Sequence, residues 1–309
     1  MSEQIAVLCP GQGAQAMGMG RTWAERSAAA RRLFEQADAM LRVELGGALS
    51  DLCFNGPEER LNRTDISQPA IYACSIASWH GLIERGADWT IAAAAGLSLG
   101  EYTALHLAGV FDFETGLRLV ATRGRLMQQA AEASKGGMVA LIGADEHQAR
   151  EICDAAARGE VLVPANFNAP GQIVLSGHAS ACERASQVAS EKGFRATILK
   201  VAGAFHSPLM QPAADGLADA LARVALTPPS TVVWSNVTAQ PHLAGDMELL
   251  RTRLVEQLVN PVRWSQSCEA LTARYTCECH ELAPGTVLRG LMRRIDRNRK
   301  VTSHDEPDA

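Results

Sequence analysis

The sequence predicts an α/β protein: a large domain with a mostly parallel sheet, carrying an inserted ferredoxin-like small domain. Three observations lead there. Apolar runs alternate with helical stretches on both sides of residues 134–200, which favours a parallel sheet with helices on both faces. Within that window the signals run βαββαβ, the split-βαβ order. No apolar run reaches the roughly 18 residues of a membrane span. The predicted division is 1–133 with 201–309 for the large, discontinuous domain and 134–200 for the small one.

Ile5 to Leu8 is a short apolar run that stops at Pro10-Gly11, a buried strand entering a tight loop. Residues 22–41 have helical spacing and strong helix formers. Residues 42–66 are polar and irregular, and 67–85 form a helix apolar enough to be buried. Trp89 to Ala95 is a second strand, halted by Gly96-Leu97-Ser98-Leu99-Gly100; a helix starts at Glu101 and runs to Leu107. Asp112 is a natural N-cap for the next helix.

The small domain begins after Lys135-Gly136-Gly137. Its predicted elements are a strand at Met138–Ile142, a helix at Asp145–Ala157 and strands at Val161–Asn166 and Gln172–Ser176, joined by a turn over 167–171. A helix at Ala179–Glu191 and a strand at Ala196–Val201 complete it. Near the end, His280 closes a strand, and Asn298–Ala309 is polar enough to be expected to fray.

The composition is that of a folded domain. Of 309 residues, 47% are hydrophobic and 20% charged, which excludes a disordered chain. Mean hydropathy is −0.04 and the pI about 5.9. A net charge of −5 argues against nucleic-acid binding. The N-terminus has no basic and apolar leader, so the eight cysteines are expected to be reduced thiols in the cytoplasm. Cys277, Cys279 and His280 are the one cluster hinting at a metal, but no second ligand pair follows, so no metal is expected.

Gly96-x-Ser98-x-Gly100 fits a nucleophile elbow: a serine on a sharp strand-to-helix turn, flanked by glycines because a β-carbon there would strike neighbouring backbone. The bare pattern is common; the strand before it and the helix after it give it weight. The serine needs a base. Of eight histidines, His206 stands apart, in Ala204-Phe205-His206-Ser207-Pro208 after a strand and before a helix. The third motif, Pro10-Gly11-Gln12-Gly13-Ala14-Gln15-Ala16, matches a dinucleotide fingerprint in spacing only. A long helix follows, with no second strand ending in an acid, and no P-loop is present. Its glycines instead let backbone approach a ligand, which Gln12 can orient.

Taken in order, PGQGAQ at 10–15, ISQPAIYACS at 66–75, GLSLGEYTAL at 96–105, ATRGRLMQ at 121–128, NFNAPGQIVLSG at 166–177, GAFHSPLM at 203–210, EQLVNPVRW at 256–264 and APGTVLRGLMRRI at 283–295 span nearly the whole chain. This series resembles the bacterial malonyl-CoA:acyl carrier protein transacylase family, the acyltransferases of type II fatty acid synthesis. The resemblance implies an α/β-hydrolase-like large domain with the ferredoxin-like insertion. It implies Ser98 as the acyl-carrying nucleophile, His206 as its base, and an oxyanion hole from the N–H groups of Gln12 and Leu99. It further implies Arg123 holding the malonyl carboxylate, the Gln257 carbonyl orienting His206 in place of a triad acid, and Asn166 lining the site. Phe205 would crowd the α-carbon, since AFH resembles malonyl-selective relatives. Leu97 departs from the histidine many relatives carry there, which alters polarity beside the serine and leaves the elbow glycines intact.

The implied reaction is ping-pong malonyl transfer through Ser98, supplying fatty acid biosynthesis. The substrate is malonyl-CoA, the partner acyl carrier protein. No cofactor, membrane or nucleic acid is involved, and the protein is expected to be a monomer. Arg289, Arg293, Arg294, Arg297, Arg299 and Lys300 form a basic patch that is either a docking face for the acidic carrier or a solvated helix face. A serine esterase is the rival within the same chemistry, but no HGGG-type oxyanion motif is present. A non-catalytic carrier-binding subunit would not need Ser98, His206 and Arg123 together. A malonyl loader for polyketide synthesis or malonate decarboxylase remains open.

Overall fold

The computed structural model describes residues 2–308. In chain order the large sheet is built from β1 (Glu3–Cys9), β2 (Trp89–Gly96), and three later strands. Between β1 and β2 run α1 (Arg21–Arg26), α2 (Ala28–Leu45), α3 (Leu49–Asn55), α4 (Glu58–Leu61) and α5 (Thr64–Glu84). After β2 come α6 (Gly100–Leu107) and α7 (Phe113–Ala133). The second sheet follows: β3 (Gly136–Ile142), α8 (Glu146–Ala157), β4 (Leu162–Ala169), β5 (Gln172–His178), α9 (Ala179–Glu191) and β6 (Arg195–Ile198). The chain then forms α10 (Gln211–Leu221), β7 (Val232–Val233), α11 (Met247–Glu256), α12 (Trp264–Arg274), β8 (Glu278–Leu282), α13 (Val287–Ile295) and β9 (Val301–His304).

The first sheet has the order β7-β2-β1-β8-β9, and every pairing in it is parallel. Both its faces are covered, as a parallel sheet requires. Ile5, Val7 and Cys9 of β1 enter a core formed with α2, α5 and α7, while the alternate residues Ala6 and Leu8 pack with Trp264 of α12 and Leu288 of α13. This period-two division of an apolar strand explains why the run looked uniformly buried in sequence. The second sheet is antiparallel, in the order β4-β5-β3-β6, and α8 and α9 cover it with a core of their own.

Several local expectations are corrected. The helix expected over 22–41 breaks at Ser27, whose extended backbone ends α1 and whose hydroxyl accepts from the Ala30 N–H to cap α2. Residues 42–66 are not irregular: α3 and α4 form there, their short apolar sides buried at Leu49, Leu52, Cys53 and Leu61. The turn at 167–171 shrinks to Pro170-Gly171, because β4 continues to Ala169 and β5 starts at Gln172. The last small-domain strand is shorter than expected, Arg195–Ile198.

The expected frayed tail is the largest correction. Val301–His304 forms β9 at the sheet edge, and the Trp23 indole N–H donates to the His304 and Asp305 carbonyls. Ala309 itself lies outside the described residues. His280 sits within β8, not at its end, and its Nδ1 lies 2.8 Å from His304 Nε2. Burial lowers the pKa of both imidazoles, His304 to about 4 with help from His280. His206 is likewise lowered to about 4, by burial and then by Arg123. Folded-state values below the ordinary 6.5 mean that the unfolded chain binds more protons between them. Stability is therefore expected to be full above about pH 6.5 and to fall as pH drops toward 4; urea unfolding midpoints at pH 7 and pH 5 check this.

Candidate active site

The two loops at the carboxyl ends of β1 and β2 meet, as expected for a parallel sheet. The elbow is tight: a β-carbon on Gly96 would lie 1.8 Å from the Gly100 carbonyl carbon, and one on Gly100 2.1 Å from the Cys9 oxygen. Ser98 takes a left-handed φ of 52° at this turn, a strained backbone for a non-glycine residue. Asn236 braces it, accepting from the Ser98 N–H at 2.6 Å and donating to the Gly96 carbonyl at 2.7 Å. Asn236 follows β7, and nothing in its local sequence marks it.

His206 reaches the serine from the loop before α10, also with a positive φ, 57°. Its Nε2 lies 2.8 Å from Ser98 Oγ, and its Nδ1 lies 2.7 Å from the Gln257 backbone carbonyl. A carbonyl only accepts, so Nδ1 carries the proton and Nε2 is left to accept from the serine hydroxyl. Burial, then the Arg123 charge, hold the imidazole neutral by lowering its pKa to about 4, against which the Gln257 bond acts. The acid limb of the kcat/KM profile should then lie near pH 4, with activity lost as pH falls through it; a limb near 6.5 would contradict a buried base.

Arg123 lies on α7, 1% exposed. A β-carbon on Gly124 would sit 2.7 Å from the Thr64 carbonyl, so α7 and α5 approach too closely there for a larger residue. Its Nη2 donates to Ser98 Oγ at 3.1 Å and to Gln257 Oε1 at 2.8 Å; Nη1 donates to Gln68 Oε1 at 2.7 Å. Its buried Nε has no partner among the described residues.

Of the other expected residues, Gln12, Asn166 and Phe205 line a cavity of about 340 Å³ together with Leu97, Ser98 and His206, with Met127 and Met138 as apolar walls; Arg123, Gln257 and Leu99 are not part of its lining. Asn166 enters from β4 of the second sheet, so the cavity lies between the two sheets. Gln12 donates from Nε2 to Thr64 Oγ1 at 3.3 Å. The Leu99 side chain is fully buried in the core, but its N–H stands at the start of α6, where helical N–H groups lack an acceptor of their own.

Glu101 and His242 were missed by sequence reasoning. Glu101 is 0% exposed; its Oε2 accepts from Gln257 Nε2 at 2.6 Å and from the Asn236 N–H at 3.1 Å, and His242 Nε2 meets its Oε1 at 2.6 Å. No carboxylate contacts His206 among the described residues. Asp and Glu to Asn and Gln substitutions across the large domain should therefore produce no loss near the ~10⁴ of a neutralised triad acid. A folded variant with such a loss in its transfer rate would reveal a conventional triad.

Residues 7–296 match the acyl transferase domain family. That sets the class: the protein is an acyltransferase enzyme. The chain is 40% identical over 307 residues to the malonyl CoA-acyl carrier protein transacylase of Escherichia coli strain K12, covering 99% of this chain and 97% of that one. The crystal structure of the malonyl-CoA:acyl carrier protein transacylase from Xanthomonas oryzae pv. oryzae superposes with a TM-score of 0.92 at 41% identity, over 99% and 96% of the two chains. A malonyl-transacylase in complex with its holo type II PKS acyl-carrier protein gives a TM-score of 0.92 at 38% identity, over 99% and 97%. The chain belongs to the malonyl CoA-acyl carrier protein transacylase family.

Proposed function

We propose that the protein moves the malonyl group from malonyl-CoA to the phosphopantetheine thiol of acyl carrier protein, in the service of fatty acid biosynthesis. The observation that carries this reading is the convergence of Ser98, neutral His206 and the buried Arg123 guanidinium on one oxygen, Ser98 Oγ. His206 Nε2 takes the hydroxyl proton as Oγ attacks the thioester carbonyl. The oxyanion accepts from the Gln12 and Leu99 N–H groups, the latter aided by the α6 dipole. Collapse breaks the C–S bond, His206 returns its proton to the CoA thiolate, and malonyl-Ser98 remains. The carrier thiol then gives its proton to His206 and attacks that ester; the C–Oγ bond breaks, malonyl stays on the carrier sulfur, and His206 returns the proton to Ser98 Oγ.

A malonyl carboxylate that displaces an Nη2 contact of Arg123 meets two parallel donors at its Nε–Nη2 edge, the arrangement a carboxylate accepts best. Phe205 and Asn166 shape the space around the acyl group. No resident cofactor is required, because the phosphopantetheine arrives on the partner. We place the reaction in the cytoplasm, in keeping with eight free cysteines, and in a monomer, since one chain supplies every named group. The small domain, taken as 134–200, forms one wall of the acyl cavity.

Carrier docking is assigned to the exposed face of α13. Arg289, Arg293, Arg294 and, just past the helix, Arg297 are exposed and without a side-chain partner among the described residues, whereas Arg299 is tied to the Thr272 and Cys277 carbonyls and the exposed Lys300 to Glu278. The working patch is thus four arginines, not six residues. Reversing Arg293 and Arg294 to Glu should raise KM for carrier protein several-fold while leaving acylation by malonyl-CoA unchanged; an unchanged KM would remove α13 from the docking face.

The function as a whole is tested by supplying malonyl-CoA and holo carrier protein and following malonyl on the carrier thiol. Stoichiometric transfer is expected. Release of free malonate with an unloaded carrier would favour a hydrolase.

A further inference from the structure

Arg123 is a fully buried cation with no carboxylate within hydrogen-bonding reach among the described residues; its acceptors are Gln68, Gln257 and the Ser98 hydroxyl. A charge so placed requires compensation. The side-chain amide of Gln257 supplies a route: Oε1 accepts from Arg123 Nη2 at 2.8 Å, and Nε2 donates to Glu101 Oε2 at 2.6 Å. Cation, amide and carboxylate form one chain of hydrogen bonds. We propose that Glu101 is the counter-ion of Arg123 at one remove, and that it thereby sets how strongly Arg123 prefers an acyl group bearing a carboxylate. This rests on the reading of Arg123 as the malonyl-carboxylate partner.

The physical logic is competition for one positive charge. Burial lowers the Arg123 pKa, and Tyr102 followed by Glu101 oppose that. A direct Arg123–carboxylate pair within the protein would occupy the guanidinium fork. Relaying the anion through an amide keeps Arg123 charged and leaves its Nε–H, without a partner among the described residues, for substrate. Among the described residues no Lys or Arg contacts Glu101; its oxygens meet the Gln257 amide, the Asn236 N–H and His242 Nε2, the last an ion pair only when that imidazole is protonated. With Glu101 neutral, the substrate carboxylate is the only anion left to balance Arg123. Malonyl is then favoured more strongly over acetyl.

The test compares single-turnover acylation of Ser98 by malonyl-CoA and acetyl-CoA in the wild type, Glu101→Gln, Glu101→Asp and Arg123→Ala. Glu101→Gln can retain its hydrogen bonds: the amide carbonyl accepts from Gln257 and Asn236, while its NH2 donates to His242 once that ring moves its proton to Nδ1. The expected result is a malonyl-over-acetyl preference raised at least about threefold in Glu101→Gln, through a lower KM for malonyl-CoA. Glu101→Asp, which keeps the anion, should stay near the wild-type preference although it disturbs packing more. It carries the test alone should the glutamine variant fail to fold, a collapsed preference there counting against the proposal. A residue that merely supports the elbow predicts the reverse order and no gain in preference. An unchanged or lowered preference in Glu101→Gln, with Arg123→Ala losing malonyl selectively, overturns the role of Glu101 and leaves that of Arg123 standing. Equal losses of both acyl groups in Arg123→Ala overturn both.

Discussion

Replacing Ser98 with alanine is expected to abolish acyl transfer, and replacing His206 with alanine to cost about 10²–10⁴ in rate. The first effect is total because no other hydroxyl or thiol can take over. Seven of the eight cysteines are buried, with Cys277 partly so, and none lines the cavity. Burial raises the Cys9 thiol far above its ordinary value, although Cys9 ends the strand beside the elbow. The His206 loss is smaller because the oxyanion donors and the Arg123 contact to Oγ persist. Steady-state transfer to carrier protein measures both. Near wild-type rates in either folded variant would overturn the assignment.

Arg123→Ala is the second large effect. It should lose about 2–4 kcal/mol of malonyl transition-state binding, roughly 30- to 1000-fold in kcat/KM. With Nη2 at 3.1 Å from Ser98 Oγ, a carboxylate carried one carbon beyond the ester carbonyl lies within reach of the guanidinium. Acetyl transfer should fall little or rise, because removing a buried cation relieves a pocket that acetyl cannot neutralise. Arg123→Lys should recover only part, as a point charge cannot form the fork. Phe205, 6% exposed beside the base, should keep methylmalonyl transfer low in all variants. Rates with acetyl-, malonyl- and methylmalonyl-CoA decide this; an equal drop for acetyl and malonyl would assign Arg123 to the fold or to CoA.

What the sequence made legible follows physical lines. Ser98 was visible because the elbow is local: strand, glycines and helix adjoin it. His206 was visible by its place after a strand, and Arg123, Asn166 and Gln257 only through the resemblance, since they come from separate elements. His242 sits in a polar stretch; its buried partner, Glu101, is 141 residues away in sequence. Glu101 is a first-turn acid of α6, a placement that by itself signals no more than a favourable helix-dipole contact. The C-terminal stretch is polar by composition, and it becomes β9 only because β8 offers an unpaired edge and Trp23 offers an indole donor. Such partners are tertiary, and no local pattern announces them.

The most direct test of the central claim is intact-mass and peptide-mapping spectrometry after brief mixing with malonyl-CoA, without carrier protein. A single malonyl group on Ser98, discharged when holo carrier protein is added and absent in Ser98→Ala, is the predicted result. Rapid CoA release with no adduct, or an adduct on another residue, would contradict it.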